Sequence, residues 1–407
     1  MKFPNTVNKQ GEETTMIGDR LRQRRLALGL SLQQVADAMA KTGTKITRAA
    51  LSKYELAQGT PNAIVLRELA KVLAVKTEYF FSEARTEIQW YAFRKRASMS
   101  QADHDRLQML AIEQLERRVK AEELCGLEVQ GPGPEDRKFC QTVEDAENLA
   151  LSWRNKWGLD DQPIASVIDL LESKNFVMVP LATGELKFDG LSGLLNGIRP
   201  VIVYKEDVVA DRLRFTIAHE LAHHFLRNDD SVVEEQLANR FAAAFLIAAE
   251  RLREHLGPHR TRLTLAELIL LKEQYGLSIQ ALAYRAGAVG IISEGSRTEL
   301  FQMFGRMGMR KTEPGRYGVT EKPGQMKRIL LRGVAENQIS EAQAAELDPE
   351  YQADKNRSQA MPSWDLKELL ALPPEERDKV LEQAAARAAV LYEPDGPLGN
   401  LEILDSQ

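Results

Sequence analysis

Cysteine is scarce: Cys125 and Cys140 are the only two in 407 residues. Nothing around them has metal-ligand spacing, which excludes a disulfide framework and a cysteine-built zinc knuckle and leaves a reduced pair as the expectation. Long apolar runs are missing too, since no stretch of about 18 apolar residues exists to span a bilayer. The start, Met1-Lys2-Phe3-Pro4-Asn5, leads into polar residues without the apolar core of a secretory signal. A cytoplasmic chain with no membrane partner is expected. Histidine is also rare, with six in all, so two of them at ligand spacing are an uncommon coincidence.

The length suggests two or three folded units, and a composition of 43% hydrophobic and 28% charged residues is that of a globular protein with material for more than one core. Charge is unevenly spread. Residues 1–82 hold 13 Lys and Arg against 7 Asp and Glu, a net of +6, while the whole chain is at −5, so the remainder carries −11. A basic head on an acidic body implies an anionic partner for the head alone.

Behind a flexible polar leader (1–15), residues 16–82 read as a compact set of short helices. Ile17 to Leu28 is apolar-periodic and closes at Gly29. Ser31 and Gln34 form a capping box opening a helix with Val35, Ala36 and Met39 inward. Thr47 to Glu55 makes a third helix, and Thr60-Pro61 offers an N-cap and first-turn residue for a fourth. Leu21, Arg24, Gly29-Leu30-Ser31, Val35-Ala36, Ile46, Leu51 to Glu55, Gly59, Pro61, Leu66, Leu69-Ala70 and Leu73 together resemble the phage-repressor (Cro/CI, or XRE) type of helix-turn-helix. The resemblance implies a double-stranded DNA operator, a homodimer on it, and a helix at 47–57 lying in the major groove. Arg48, Ala49, Ser52 and Lys53 then become candidates for base or phosphate contact, and Gln33 and Gln34 for phosphate. The turn at 41–46 is longer than the usual pattern.

Residues 83–142 read as a helical connector. Trp90, Phe93, Leu107, Leu110, Leu115 and Val119 recur at helical spacing from Ile88 to Glu123, suiting a linking helix or a dimerisation arm, and Gly131-Pro132-Gly133-Pro134 breaks the run.

Residues 143–300 alternate helical and strand patterns, with strands at 176–180, 190–195 and 200–204, the last two joined through Asn196-Gly197. A helix from about Val208 to Leu226 contains His219-Glu220-Leu221-Ala222-His223. His219 and His223 project about 40° apart on one face, close enough to bind one metal ion, and Glu220 lies about 100° round, placed to take a proton from a metal-bound water. Ser231-Val232-Val233-Glu234 reads as a capping box launching a helix through Ala249. A catalytic zinc ion wants a third protein ligand. Glu235 and Asn239, four apart amid apolar residues, supply it as ligand and as a supporting residue on a ligand histidine, with Glu234 open as the alternative ligand.

Asp189-Gly190-Leu191-Ser192, Arg212-x-Arg214-Phe215-Thr216, the His-Glu-x-x-His motif and Glu235-x-x-Ala238-Asn239-Arg240-Phe241-Ala242-Ala243 resemble the ImmA/IrrE metallo-endopeptidases. Two positions depart from that pattern. Ala222 stands where the family usually has Gly, and Leu246-Ile247-Ala248 lacks the usual proline. The resemblance implies a zinc-dependent peptidase with Glu as third ligand, and a repressor as protein substrate, in trans or this chain's own head.

The tail divides into a loop-rich linker (301–362), with a short helix starting at Ile339-Ser340, and an amphipathic helix within 363–407. The run Leu372-Pro373-Pro374-Glu375-Glu376-Arg377 resembles segments of small bacterial antitoxins. The expected architecture is multidomain and mostly α: an all-α head, an α+β zincin-like unit with a small sheet, and a helical extension. Two functions compete. One is a DNA-tethered zinc endopeptidase, the other a non-proteolytic transcription factor or antitoxin-like regulator whose protease-like unit senses a ligand or partner.

Overall fold

The computed structural model describes residues 9–82, 86–91, 99–127, 137–184, 186, 188–309 and 312–351, with isolated positions between 369 and 385. They divide into two compact units, one from Met1–Lys120 with Leu127–Gly324, the other from Ala121–Gly126 with Gln325–Gln407.

The first unit begins with α1 (Lys9–Ala27), α2 (Leu32–Lys41), α3 (Arg48–Glu55), α4 (Ala63–Val72) and a 3-10 turn (Thr77–Phe81). Helix α1 thus starts inside the stretch read as leader. Local chemistry sets each later start. Ser31 and Gln34 exchange the expected reciprocal hydrogen bonds at α2, and the Thr47 hydroxyl accepts from Ala50 N–H at α3. At α4 the cap is Asn62 rather than Thr60, because its carboxamide reaches Val65 N–H at 3.0 Å and leaves Pro61 outside the helix. Ile17, Leu21, Val35, Met39, Leu51, Leu69, Leu73 and Phe80 form the core of this head.

Two further elements lie where a helical connector was expected. Ile88–Trp90 is a strand, β1, and α5 (Gln101–Leu124) follows. Leu107, Ala111 and Leu115 on α5 are buried against a sheet, so its apolar stripe is used within the unit rather than left for a dimer. Arg20 and Arg24 of α1 pair with Glu116 (2.6 Å) and Glu113 (2.7 Å) of α5, which fastens the head to that helix.

After β2 (Lys138–Phe139) come α6 (Val143–Lys156), α7 (Val167–Ser173), β3 (Val177–Leu181), β4 (Gly190–Leu195), β5 (Arg199–Lys205), α8 (Ala210–Phe225), β6 (Leu226–Arg227) and α9 (Ser231–Leu246). The sheet order is β1-β4-β5-β3, with β3 parallel to β5 and the other pairs antiparallel; β2 and β6 pair separately, in parallel. Alternation along the strands divides the core. Val177, Val179, Val201 and Val203 face α5, whereas Met178, Ile202 and Tyr204 face the layer of α6, α8 and α9. Helices α10 (Ala249–Leu256), α11 (Leu265–Tyr275), α12 (Ile279–Ala288) and α13 (Glu294–Arg306) extend that layer.

The expected helix through Ala249 is two helices, since Ile247 is extended and α10 starts afresh at Ala249. The stretch after Arg306 does structural work through its carboxylates. Glu321 accepts from the first amides of α7, Val167 and Ile168, and from buried Arg214. Glu313 accepts from Ile279 and Gln280 N–H at the start of α12 and pairs with Lys272. Both sit where a helix N-terminus favours negative charge.

In the second unit α14 (Gln325–Ala335) replaces part of the expected loop-rich linker, while α15 (Glu341–Leu347) is the short helix expected from Ile339-Ser340. Ile329, Leu330 and Gly333 make the buried face of α14 at helical spacing, and Ser340 with Gln343 forms a capping box for α15. The C-terminal segment is helical at 376–382 and at the isolated position 385, and most of the rest of that expected helix lies outside the described residues, as do 128–136 and 352–362.

Candidate metal centre

Helices α8 and α9 form a hairpin whose facing sides carry the polar residues singled out in the sequence. The turn between them is held by Asn228, which donates from its side chain to Cys140 O at 2.7 Å. The capping box expected at Ser231 and Glu234 is not what starts α9. Asp230 is the cap, accepting from Val232 and Val233 N–H, because its carboxylate one residue earlier meets both amides. Glu234 is thereby free to turn inward.

His219, His223 and Glu235 come together, with one potential ligand atom from each lying within 4.8 Å of the others. Glu235 approaches His219 Nε2 at 3.3 Å and His223 Nε2 at 3.7 Å, and it is the outward member, 56% exposed against 2% for the His223 side chain. The outer nitrogens have partners as well. His223 Nδ1 donates to Glu234 Oε1 at 3.1 Å, and His219 Nδ1 to Asn239 Oδ1 at 3.1 Å. Glu234 and Glu235 therefore take opposite sides of His223, and only Glu235 faces the converging Nε2 atoms.

Hydrogen-bond chemistry tests whether a cation fits. A carboxylate only accepts, so His223 carries its proton on Nδ1 and presents a bare Nε2; the Asn239 oxygen does the same for His219. The two Nε2 atoms face each other at 3.3 Å. Lone pairs that close repel unless positive charge lies between them. Burial drives the His219 pKa down, but the Glu235 hydrogen bond and the charges of Glu220 and Glu235 outweigh it and raise it, so the pocket favours positive charge. The donor set suits zinc: two imidazoles, a carboxylate and an open side.

Glu220 is 7% exposed and points toward β4. Its Oε2 accepts the Ser192 hydroxyl at 2.9 Å. A Cβ placed on Gly190 would come within 2.7 Å of Glu220 Cγ and 2.9 Å of Oε1, so this strand position must be bare for the carboxylate to sit here. Neither role was assigned from the sequence, although both residues stand in the Asp189-Gly190-Leu191-Ser192 run. His224 points away into the core. It donates from Nε2 to Val201 O at 3.2 Å, and burial pushes its pKa down to about 3.

On the head, Arg48, Ala49 and Lys53 are exposed along α3 and Ser52 is half-buried. Gln33 and Gln34 are exposed at the start of α2, where Gln34 closes the capping box and Gln33 donates to Asp37 at 2.8 Å. The face that docks on α5 uses Arg20 and Arg24 instead, so the candidate DNA contacts are left uncovered by it.

Residues 177–286 match the profile of the IrrE N-terminal-like domain, and residues 21–80 match that of a helix-turn-helix domain. The first match covers β3 to α12 and hence both halves of the hairpin; the second runs from the last two turns of α1 through α4 into the 3-10 turn. No curated protein matches the chain.

Proposed function

Because the chain joins a helix-turn-helix DNA-binding domain to an ImmA/IrrE-like metallopeptidase domain, we propose that it is a transcriptional regulator whose peptidase uses zinc to cleave a repressor protein and so release genes from repression. The observation that carries this reading is Glu220, buried beside the histidine pair and oriented by Ser192. A site that only sensed a ligand would have no use for a carboxylate aimed there.

His219, His223 and Glu235 would hold the ion, with Asn239 and Glu234 fixing the imidazoles. Zinc bound there supplies Lewis acidity toward a scissile carbonyl and a water molecule. Glu220 takes a proton from the attacking water at one carboxylate oxygen and passes it to the leaving amine. Ser192 keeps that carboxylate turned toward the site. Arg48, Ala49, Ser52 and Lys53, with Gln33 and Gln34, form the DNA-facing set in the same reading. Pairing of two heads on a two-fold operator rests on the likeness of the head alone.

The test is Glu220→Gln in the full-length chain. Bound zinc, measured by mass spectrometry of the metal, stays at the wild-type level while cleavage of repressors encoded nearby falls at least ~100-fold. Wild-type protein that binds zinc and cuts none of them turns the reading toward a non-proteolytic sensor.

A further inference from the structure

The sheet edge nearest Glu220 is taken by the chain itself. Glu220 touches β4 at Gly190 and Ser192, and β4 would be an edge strand if β1 were absent. The segment that covers this edge comes from between the head and α5. It aligns antiparallel, Ile88 with Leu195, Gln89 with Leu194 and Trp90 with Gly193, and runs toward the Glu220 end of β4. Backbone bonds flank the pairing: Asn196 N–H to Glu87 O at 2.8 Å, and Tyr91 N–H to Ser192 O at 3.0 Å. Ser192 therefore bonds β1 with its carbonyl and Glu220 with its hydroxyl.

We propose that the outer edge of β4 is the seat for an extended segment of a protein substrate, and that residues 86–91 are a displaceable occupant filling it at rest. The inference rests on the peptidase reading of the site. An edge strand binds an extended peptide through main-chain hydrogen bonds, whatever its sequence, and a peptide laid antiparallel along β4 passes beside Glu220. Strand β1 already does this with three residues, a length at which pairing is weak by itself. Gly193 fits the same picture. A Cβ there would meet Gln89 O at 2.6 Å, so the edge is bare where a neighbouring strand must come close. Entry of a substrate strand then requires β1 to leave, and β1 follows the last turn of the DNA-binding head, so access to the site is tied to the segment that joins them.

The experiment uses the full-length chain and a fluorescein-labelled peptide of sequence Thr86-Glu87-Ile88-Gln89-Trp90-Tyr91. Bonded pairs alternate along an antiparallel ladder, so Gln89 with Leu194 is the bonded pair between Glu87–Asn196 and Tyr91–Ser192. Gln89→Pro removes its N–H and releases β1. The tethered strand acts at an effective concentration on the order of millimolar, so the peptide, read by fluorescence anisotropy, should bind Gln89→Pro at least ~10-fold more tightly than wild type. Adding Gly193→Ala to Gln89→Pro should abolish that binding, because the new Cβ projects onto the vacated edge. Equal binding to wild type and Gln89→Pro, no binding to either, or binding that survives Gly193→Ala overturns the proposal. Should Gln89→Pro not fold, Tyr91→Pro removes the bond to Ser192 O and takes its place. Peptide binding is read without cleavage, so an inactive peptidase sinks the proposed function and leaves this result standing.

Discussion

Ser192 on β4 donates its hydroxyl to Oε2 of Glu220 on α8 at 2.9 Å, with both residues buried. The bond spans two elements 28 residues apart and sets which way the proposed base points. A hydrogen bond to a charged group contributes about 1.5–3 kcal/mol. Ser192→Ala should therefore lower kcat on a cleavable repressor by about tenfold or more and the melting temperature by a few degrees, with zinc content unchanged. Gly190→Ala should be worse, because its Cβ enters the space of Glu220 Cγ. Undiminished kcat in both variants would show that Ser192 and Gly190 do not position the proposed base.

Glu234 and Glu235 separate cleanly. Glu235→Ala deletes the group facing both Nε2 atoms and should abolish stoichiometric zinc binding. Glu234 acts from the far side of His223; burial raises its pKa, but the bond from His223 and the Asn228 amide hold it below the ordinary range. Glu234→Gln should bind zinc about 10–100-fold more weakly, the usual effect of losing a group that orients a ligand histidine. Competition with a chromophoric chelator measures both. The reverse order of severity would make Glu234 the ligand.

How much of this was legible in the sequence follows from the range of each interaction. The His219-to-His223 spacing, the Ser31 cap and the Asn196-Gly197 hairpin are local, and helical or strand period with capping chemistry places them. Asn239 was found the same way, as a polar residue on an apolar helix face. What escaped depends on distant partners. Ile88–Trp90 has apolar residues that suit a helix equally well, and only pairing with β4 makes it a strand. Nothing near Ser192 announces Glu220. The Ser231 box failed because Asp230, a stronger acceptor one residue earlier, took both amides.

The head offers a test through salt. Lys53 is exposed on α3 and makes no ion pair among those found between described residues on that helix. If it meets a phosphate, Lys53→Ala should weaken binding to a random-sequence 30-base-pair duplex and reduce the slope of log K against log salt by about 1. Titrations at four salt concentrations give that slope. An unchanged slope would place Lys53 off the DNA.

Acid should uncover the role of Glu147, which ties α6 to α12 and α9. It accepts from Arg285 at 2.8 Å and pairs with Arg240. Burial raises its pKa, but the hydrogen bond and charge of Arg285, followed by the charge of Arg240, outweigh burial and hold it below the ordinary 4.5. A carboxyl whose folded pKa is lowered contributes stability that is fully present above the unfolded value, and loses it as pH falls through the folded value. Glu147→Gln leaves two guanidinium groups without their counter-charge, which in a buried pair costs about 3 kcal/mol. At pH 7 the variant should unfold at lower urea than wild type. As pH falls below 4.5 and through the lowered folded value, the wild-type carboxylate takes up its proton, its advantage shrinks, and the two urea midpoints should converge. A gap that stays constant across the acid limb, until both proteins unfold, would show that the Glu147 charge does not stabilise this hairpin layer.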